Sequence, residues 1–179
     1  MHITTRKLAA AAVTGAAYAA LTMLLAPISY GAIQCRVSEV LCILPFFIPC
    51  TAWGLFAGCA IANLLSAAGI FDVVFGSLAT LLAALCTAWL GRGRGAQSWG
   101  RCILAALMPV VFNFVFVGAV LTWSLTDAVF PHLNASFWVF GGQVALGEVI
   151  VLGVLGLPLM RLLPRNPKFR EIIRSYQKE

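Results

Sequence analysis

The chain has 179 residues, 61% of them hydrophobic and only 10% charged, with a mean hydropathy of +0.96. Soluble domains carry about 25% charged residues, so lipid rather than water must be the solvent for most of this chain. The net charge of +6 comes from 12 Lys and Arg against 6 acidic residues. Aromatic side chains do not interleave with the basic ones as a nucleic-acid surface would want, which leaves the charges as topology signals.

The first apolar run, 8–28, is preceded by Arg6 and Lys7. At about 20 residues it exceeds the apolar core of a signal peptide and is expected to be a spanning helix. A polar stretch holding Gln34, Arg36, Ser38 and Glu39 follows. The second run, 39–50, is short for a span and contains Pro45 and Pro49. The third covers 51–68, and Gly69–Asp72 forms a tight connection to the fourth, 73–90. A Gly- and Arg-rich loop, Gly91–Arg101, leads to the fifth run, 102–125. A connection with Asp127, Pro131 and His132 leads to the sixth, 137–163. A charged tail, 164–179, is expected to be water-soluble. The runs are too long for membrane strands and lack period-two alternation, so they are expected to be helices. The expected fold is an all-α, six-helix integral membrane bundle forming one domain.

Charge placement agrees with six crossings. With both termini cytoplasmic, Arg6, Lys7, the Arg92–Arg94–Arg101 loop and the tail, including Arg161, fall inside, and Arg36 alone among the basic residues falls outside. If the Pro-broken second run did not cross, the loop and the tail would lie on opposite sides.

Polar side chains at membrane depth are costly and need a partner or a role. The candidates are Gln34, Arg36, Glu39, Asn63, Asp72, Asn113, Gln143 and Glu148. On the six-span topology they gather in the outer half, with Asn113 and Glu148 near mid-depth, which describes one polar pocket open to the outside. Simpler readings exist for several. Arg36 and Glu39, three apart, suit an ion pair at a helix start. Asn63 and Asn113 suit hydrogen bonds between helices. Asp72 suits an N-cap. Glu148 has no basic neighbour in sequence and is hardest to explain structurally. Gln143 lies about 140° around the helix from it. Ala12, Ala16 and Ala20 form one small-residue ridge on the first helix, and Ala11, Gly15 and Ala19 a second, either of which admits close helix approach.

Chemistry is otherwise sparse. The six cysteines, Cys35, Cys42, Cys50, Cys59, Cys86 and Cys102, contain no C-x-x-C pair and are read as small apolar filler, with no metal site expected. Gly91-Arg-Gly-Arg-Gly is not followed by G-K-[ST] and is no phosphate loop. No catalytic triad or zinc-protease motif is present, so no enzyme and no cofactor are expected. Asn134-Ala-Ser136 matches a glycosylation sequon, a weak signal.

Gln34-Cys-Arg36-Val-Ser-Glu39, Leu44-Pro45, Asn63, Asp72-Val-Val-Phe-Gly76-Ser-Leu-Ala-Thr and Gly147-Glu148 together resemble the QueT family. The resemblance extends over essentially the whole chain. It implies an S component of an energy-coupling factor (ECF) transporter. Such a subunit is a six-helix bundle in the bacterial cell membrane that captures queuine or 7-aminomethyl-7-deazaguanine from outside. It also implies docking on a membrane T component carrying two ATPase subunits, through an A-x-x-x-A ridge matching Ala12, Ala16 and Ala20. A deazaguanine offers an N1–H and a 2-amino group to a carboxylate such as Glu148 or Glu39. Its carbonyl and ring edge suit Gln143, Asn63 or Asn113. An aminomethyl cation suits a second carboxylate, and Phe112, Phe137 or Trp138 suits stacking on the ring. The rival expectations are an S component for another small vitamin-like ligand, a secondary transporter with Glu148 or Glu39 as its proton-coupling group, and a membrane enzyme or scaffold.

Overall fold

The computed structural model describes residues 4–30, 34–66, 68–93, 98–126 and 135–177. Arg94, the connection from Asp127 to Asn134 with its sequon asparagine, and Lys178 lie outside the described residues. Within them every element is helical. Four stretches are long and apolar enough to cross a bilayer: Thr5–Leu24, Asp72–Leu90, Trp99–Thr126 and Ala135–Arg165. Large apolar side chains such as Leu24, Trp53, Ile61, Val139 and Val154 are exposed around the bundle, as expected where lipid is the outer solvent.

Two of the six expected spans are shorter than that. The run beginning at residue 39 is a 3-10 helix, Val37–Phe46, of 10 residues. The next, α3, covers Thr51–Asn63, 13 residues, and stops short of residue 68. Pro45 lies inside the 3-10 helix, where its missing N–H and fixed φ work against a regular α-helix. A 3-10 helix rises about 2.0 Å per residue, so ten residues reach about 20 Å, further than an α-helix of equal length. The stretched geometry carries a short sequence deeper through the bundle.

Helix α1 (Thr5–Leu24), followed by a four-residue α2 (Ala26–Ser29), packs most extensively against α3. The contact is backbone on backbone. A Cβ on Gly54 would overlap the Ala11 carbonyl, and one on Gly58 would overlap the Gly15 carbonyl. The ridge of α1 that faces α3 is therefore half-buried Ala11 with buried Gly15 and Ala19, while Ala12, Ala16 and Ala20 stay exposed. Lipid tails are as apolar as leucine, so this close van der Waals fit, rather than exclusion from water, holds the two helices together.

After α3, Gly69 adopts φ +62°, the left-handed region that glycine enters without a side-chain clash. A π-turn, Asp72–Gly76, then runs into α4 (Ser77–Leu90). Helix α5, Trp99–Thr126, contains Pro109. Proline removes the N–H that would bond the carbonyl four residues earlier. That carbonyl, Ala105, accepts instead from the Thr87 hydroxyl of α4 at 3.3 Å, so the defect becomes a tie between neighbours. Helix α6 (Ala135–Val151) packs on α5 where Gly118 and Gly141 meet. A second π-turn, Leu152–Gly156, precedes Pro158 in α7 (Leu157–Leu162) and loosens the ladder where the proline interrupts it.

The tail carries a further helix. Pro167–Gln177 forms α8, the last helix, whose Phe169, Ile173 and Tyr176 pack against the bundle. Their spacing puts them on one face of a helix, and the charged residues take the other. Phe169 meets Phe47 edge-on at 5.5 Å, and the Tyr176 hydroxyl donates to the Arg6 carbonyl at 3.2 Å. The two ends of the described chain thus lie together. Arg101 donates to the Arg92 carbonyl at 2.9 Å, and Arg161 sits over the Trp99 ring. One end of the bundle is basic.

Candidate functional site

Polar groups join across five elements away from that basic end. Gly147 of α6 has no side chain, and a Cβ there would overlap the Gln34 carbonyl, so the segment 34–36 lies directly on α6. Cys35 Sγ approaches the Gly147 carbonyl at 3.9 Å. Two residues on from Gln34, the Arg36 guanidinium donates to Asp72 Oδ2 at 3.3 Å, both side chains being buried. Arg36 also lies over the Tyr30 ring, 5.4 Å from its centroid. The Asp72 carbonyl accepts from Asn63 Nδ2 at 2.9 Å. A Cβ on Gly76 would come within 2.5 Å of Asp72 Oδ1 and 2.7 Å of Asn63 Nδ2, so the glycine keeps room for both side chains. On the other side, next to Gly147, Glu148 accepts a short hydrogen bond from Asn113 Nδ2 of α5.

Several of these buried atoms have no hydrogen-bond partner among the described residues. They are Gln34 Oε1, Arg36 Nε, Asn63 Oδ1, Asp72 Oδ1, Asn113 Oδ1 and Glu148 Oε2. Buried polar groups are nearly always satisfied, because leaving one unpaired costs about 1–3 kcal/mol. The six open positions come from the segment 34–36, α3, the π-turn, α5 and α6. As placed, five are acceptors and one is a donor; the amide orientations follow from the hydrogen-bond network.

Glu39 differs. It is fully buried, but both carboxylate oxygens are used. One accepts a short hydrogen bond from the Tyr18 hydroxyl and the other receives Cys42 Sγ at 3.0 Å. Around it, Cys59 Sγ is approached by Tyr18 at 3.6 Å, Asn63 at 3.4 Å and Thr80 at 3.3 Å. The Thr22 and Ser38 hydroxyls meet at 2.6 Å. Glu39 is thus bound into a closed network that holds α1, the 3-10 helix, α3 and α4.

Three simple readings from sequence are corrected here. Arg36 pairs with Asp72 rather than with Glu39 three residues on. Asp72 makes no side-chain cap and opens a π-turn. Cys42 and Cys59 are not merely apolar filler, because their sulfurs complete the buried network, although all six cysteines are free thiols. Asn63 and Asn113 do bridge elements through Nδ2, as interhelical glue would, and each keeps Oδ1 open.

The remaining candidates lie elsewhere. Trp138 is 65% exposed and stands against Phe114 and Phe137. Phe137 is buried in that aromatic group, and half-buried Phe112 stacks on Phe116. Gln143 is half-buried on α6. The aromatic side chain beside Arg36 is Tyr30, which sequence reasoning missed, along with Tyr18, Thr22, Cys59 and Thr80. One signal was present: Thr14, Tyr18 and Thr22 recur every fourth residue in an otherwise apolar helix, marking a polar stripe turned inward.

The site so described belongs to a chain whose residues 8–165 match the family model described as QueT transporter. The chain belongs to the QueT transporter family. No curated protein and no solved structure matches it. With four membrane-length apolar helices, this QueT chain is a multi-pass membrane protein of a transporter family.

Proposed function

We propose that this QueT chain is the substrate-binding S component of an ECF transporter and captures a queuosine precursor, queuine or 7-aminomethyl-7-deazaguanine. Six crossings with both termini cytoplasmic fit this reading: the ends lie together, the basic end belongs inside by the positive-inside rule, and the open polar cluster then faces outward. The protein lies in the bacterial plasma membrane.

The observation that carries the proposal is the set of six polar atoms left unpartnered among the described residues of an apolar bundle. Mostly acceptors, they suit a ligand rich in N–H donors. Glu148 takes the N1–H and 2-amino pair through Oε2 and the second lone pair of Oε1. Asp72 Oδ1 receives the side-chain amine, and Arg36 and the amides of Gln34, Asn63 and Asn113 meet the ring edge. Gln143 and Trp138 share α6 with Glu148 but lie outside this cluster. The exposed Ala12, Ala16 and Ala20 ridge is the docking surface for the T component and its two ATPase subunits, since the other ridge is already used by α3.

Titrating the purified chain with queuine, 7-aminomethyl-7-deazaguanine and guanine tests the substrate. Saturable binding of a precursor, tighter than guanine, is expected, and no binding of either precursor removes the assignment. Ala16→Leu tests docking: ligand binding by the isolated subunit is retained while ATP-driven uptake by the reconstituted complex is lost. A proton gradient driving uptake by this chain alone, without ATP, would overturn the S-component role in favour of a secondary transporter coupled through Glu148.

A further inference from the structure

At the basic end, far along α6 and α7 from Glu148, the bundle carries a lateral groove of about 520 Å³. Its walls are Trp99, Gly153, Leu157 and Pro158, and Arg161 and Arg165 stand at its end. The volume falls in the range of small-molecule sites. Gly153 opens onto free space, with nothing within 4 Å of where a Cβ would lie. Arg161 lies 4.1 Å from the Trp99 ring centroid, a cation–π arrangement. Its Nε and one terminal nitrogen, Nη2, are nevertheless buried without a hydrogen-bond partner among the described residues. Among the described residues, no acidic side chain lines the groove.

A guanidinium with unused donors beside an apolar wall calls for an anion, and the geometry of a guanidinium matches phosphate oxygens. The surroundings decide what carries that anion. Leu162, Val154 and Leu155 are exposed next to the groove, on a helix stretch that crosses the bilayer. Trp99 is 62% exposed at the basic end, in the position of an aromatic belt residue. A soluble phosphate would gain nothing from the apolar wall, whereas a phospholipid uses both halves. The geometry points to a binding site for one anionic phospholipid, its phosphate on Arg161 and Arg165 and its acyl chain along Gly153, Leu157 and Leu162. Basic residues at this leaflet surface attract anionic lipid by about 1 kcal/mol each, and the fixed guanidinium turns that attraction into a defined site.

Native mass spectrometry of the full chain, loaded with phosphatidylglycerol or phosphatidylcholine, tests this. One phosphatidylglycerol is expected to be retained about tenfold better than phosphatidylcholine. Arg161→Gln is expected to reduce retention to the phosphatidylcholine level, and Arg170→Gln, the same charge change on the tail, to leave it intact. Gly153→Leu fills the groove without altering charge and is expected to displace the lipid, which keeps the test valid if Arg161→Gln fails to fold. Chain-brominated phosphatidylglycerol should quench the fluorescence lost in Trp99→Phe. Equal retention of both lipids, equal loss in Arg170→Gln, or displacement by inorganic phosphate at matched concentration would each overturn the proposal.

Discussion

Two glutamates lie fully buried in one bundle, yet their surroundings are opposites. Around Glu39 every carboxylate oxygen is engaged, by Tyr18 and by Cys42, and the neighbouring Cys59 gathers three more polar contacts. Around Glu148 one oxygen is held by Asn113 and the other has no partner among the described residues, as is true of atoms of Gln34, Arg36, Asp72 and Asn63. A closed buried network is rigid and helps specify one arrangement of helices; a half-satisfied one costs stability unless something else completes it. The two regions meet at Asn63, but their carboxylates divide scaffold from site, although both look like rare polar residues in an apolar sequence.

The sharpest way to break this comparison is to neutralise each glutamate in turn. Glu148→Gln is expected to weaken precursor binding by about 100-fold, the scale of losing a charge-assisted pair of hydrogen bonds. The ligand-free protein should melt no lower than the parent, since an incompletely paired carboxylate has been removed. Calorimetric titration and thermal unfolding in detergent read the two effects separately, and unchanged affinity would end the role assigned to Glu148. Glu39→Gln should do the reverse. It disturbs two satisfied buried hydrogen bonds and is expected to cost about 1–3 kcal/mol of stability, with the affinity of the folded fraction changed less than threefold. A loss of binding without a loss of stability would move Glu39 from scaffold to site.

Tyr18→Phe sharpens the same contrast with a smaller step. It removes only the hydroxyl and leaves one Glu39 oxygen without its partner at 0% exposure. The expected cost is about 1–2 kcal/mol, read as a lower unfolding temperature that bound ligand does not restore to the parent value. Full rescue by ligand would mean that the Glu39 network and the open cluster form one unit.

The apolar runs made much of the fold legible in advance. The starts and ends of α1, α4 and α5 lie within a few residues of the hydropathy boundaries, and Pro45 and Pro49 marked the second run as abnormal. The 3-10 geometry was not legible, because hydropathy has no sense of rise per residue. The early end of α3 at Asn63 was missed for the same reason: apolar Leu64 and Leu65 continue the pattern while the backbone turns. In the site, the polar residues stood out in the sequence, but their pairing did not. Arg36 and Glu39 are adjacent on an ideal helix, yet Arg36 precedes the 3-10 helix in extended conformation and reaches Asp72, 36 residues away. Tyr18, Cys42, Cys59 and Thr80 were overlooked because a hydropathy scale counts them as nearly apolar, whereas each has one atom that acts as a polar partner once buried.

The smallest effect concerns a satisfied group outside both clusters. Pro109 frees the Ala105 carbonyl, and the Thr87 hydroxyl takes it up from the facing helix. Thr87→Val keeps shape and volume and leaves that carbonyl without its side-chain donor. Hydrogen bonds between membrane helices average about 0.6 kcal/mol, because the unfolded chain in the membrane finds other partners. The expected loss is therefore under about 1 kcal/mol, with ligand affinity unchanged. It sets the scale for one ordinary buried hydrogen bond in this bundle. If Glu39→Gln costs no more than Thr87→Val, the Glu39 network is no tighter than a single proline repair. The division of the molecule into closed scaffold and open site would then rest on Glu148 alone.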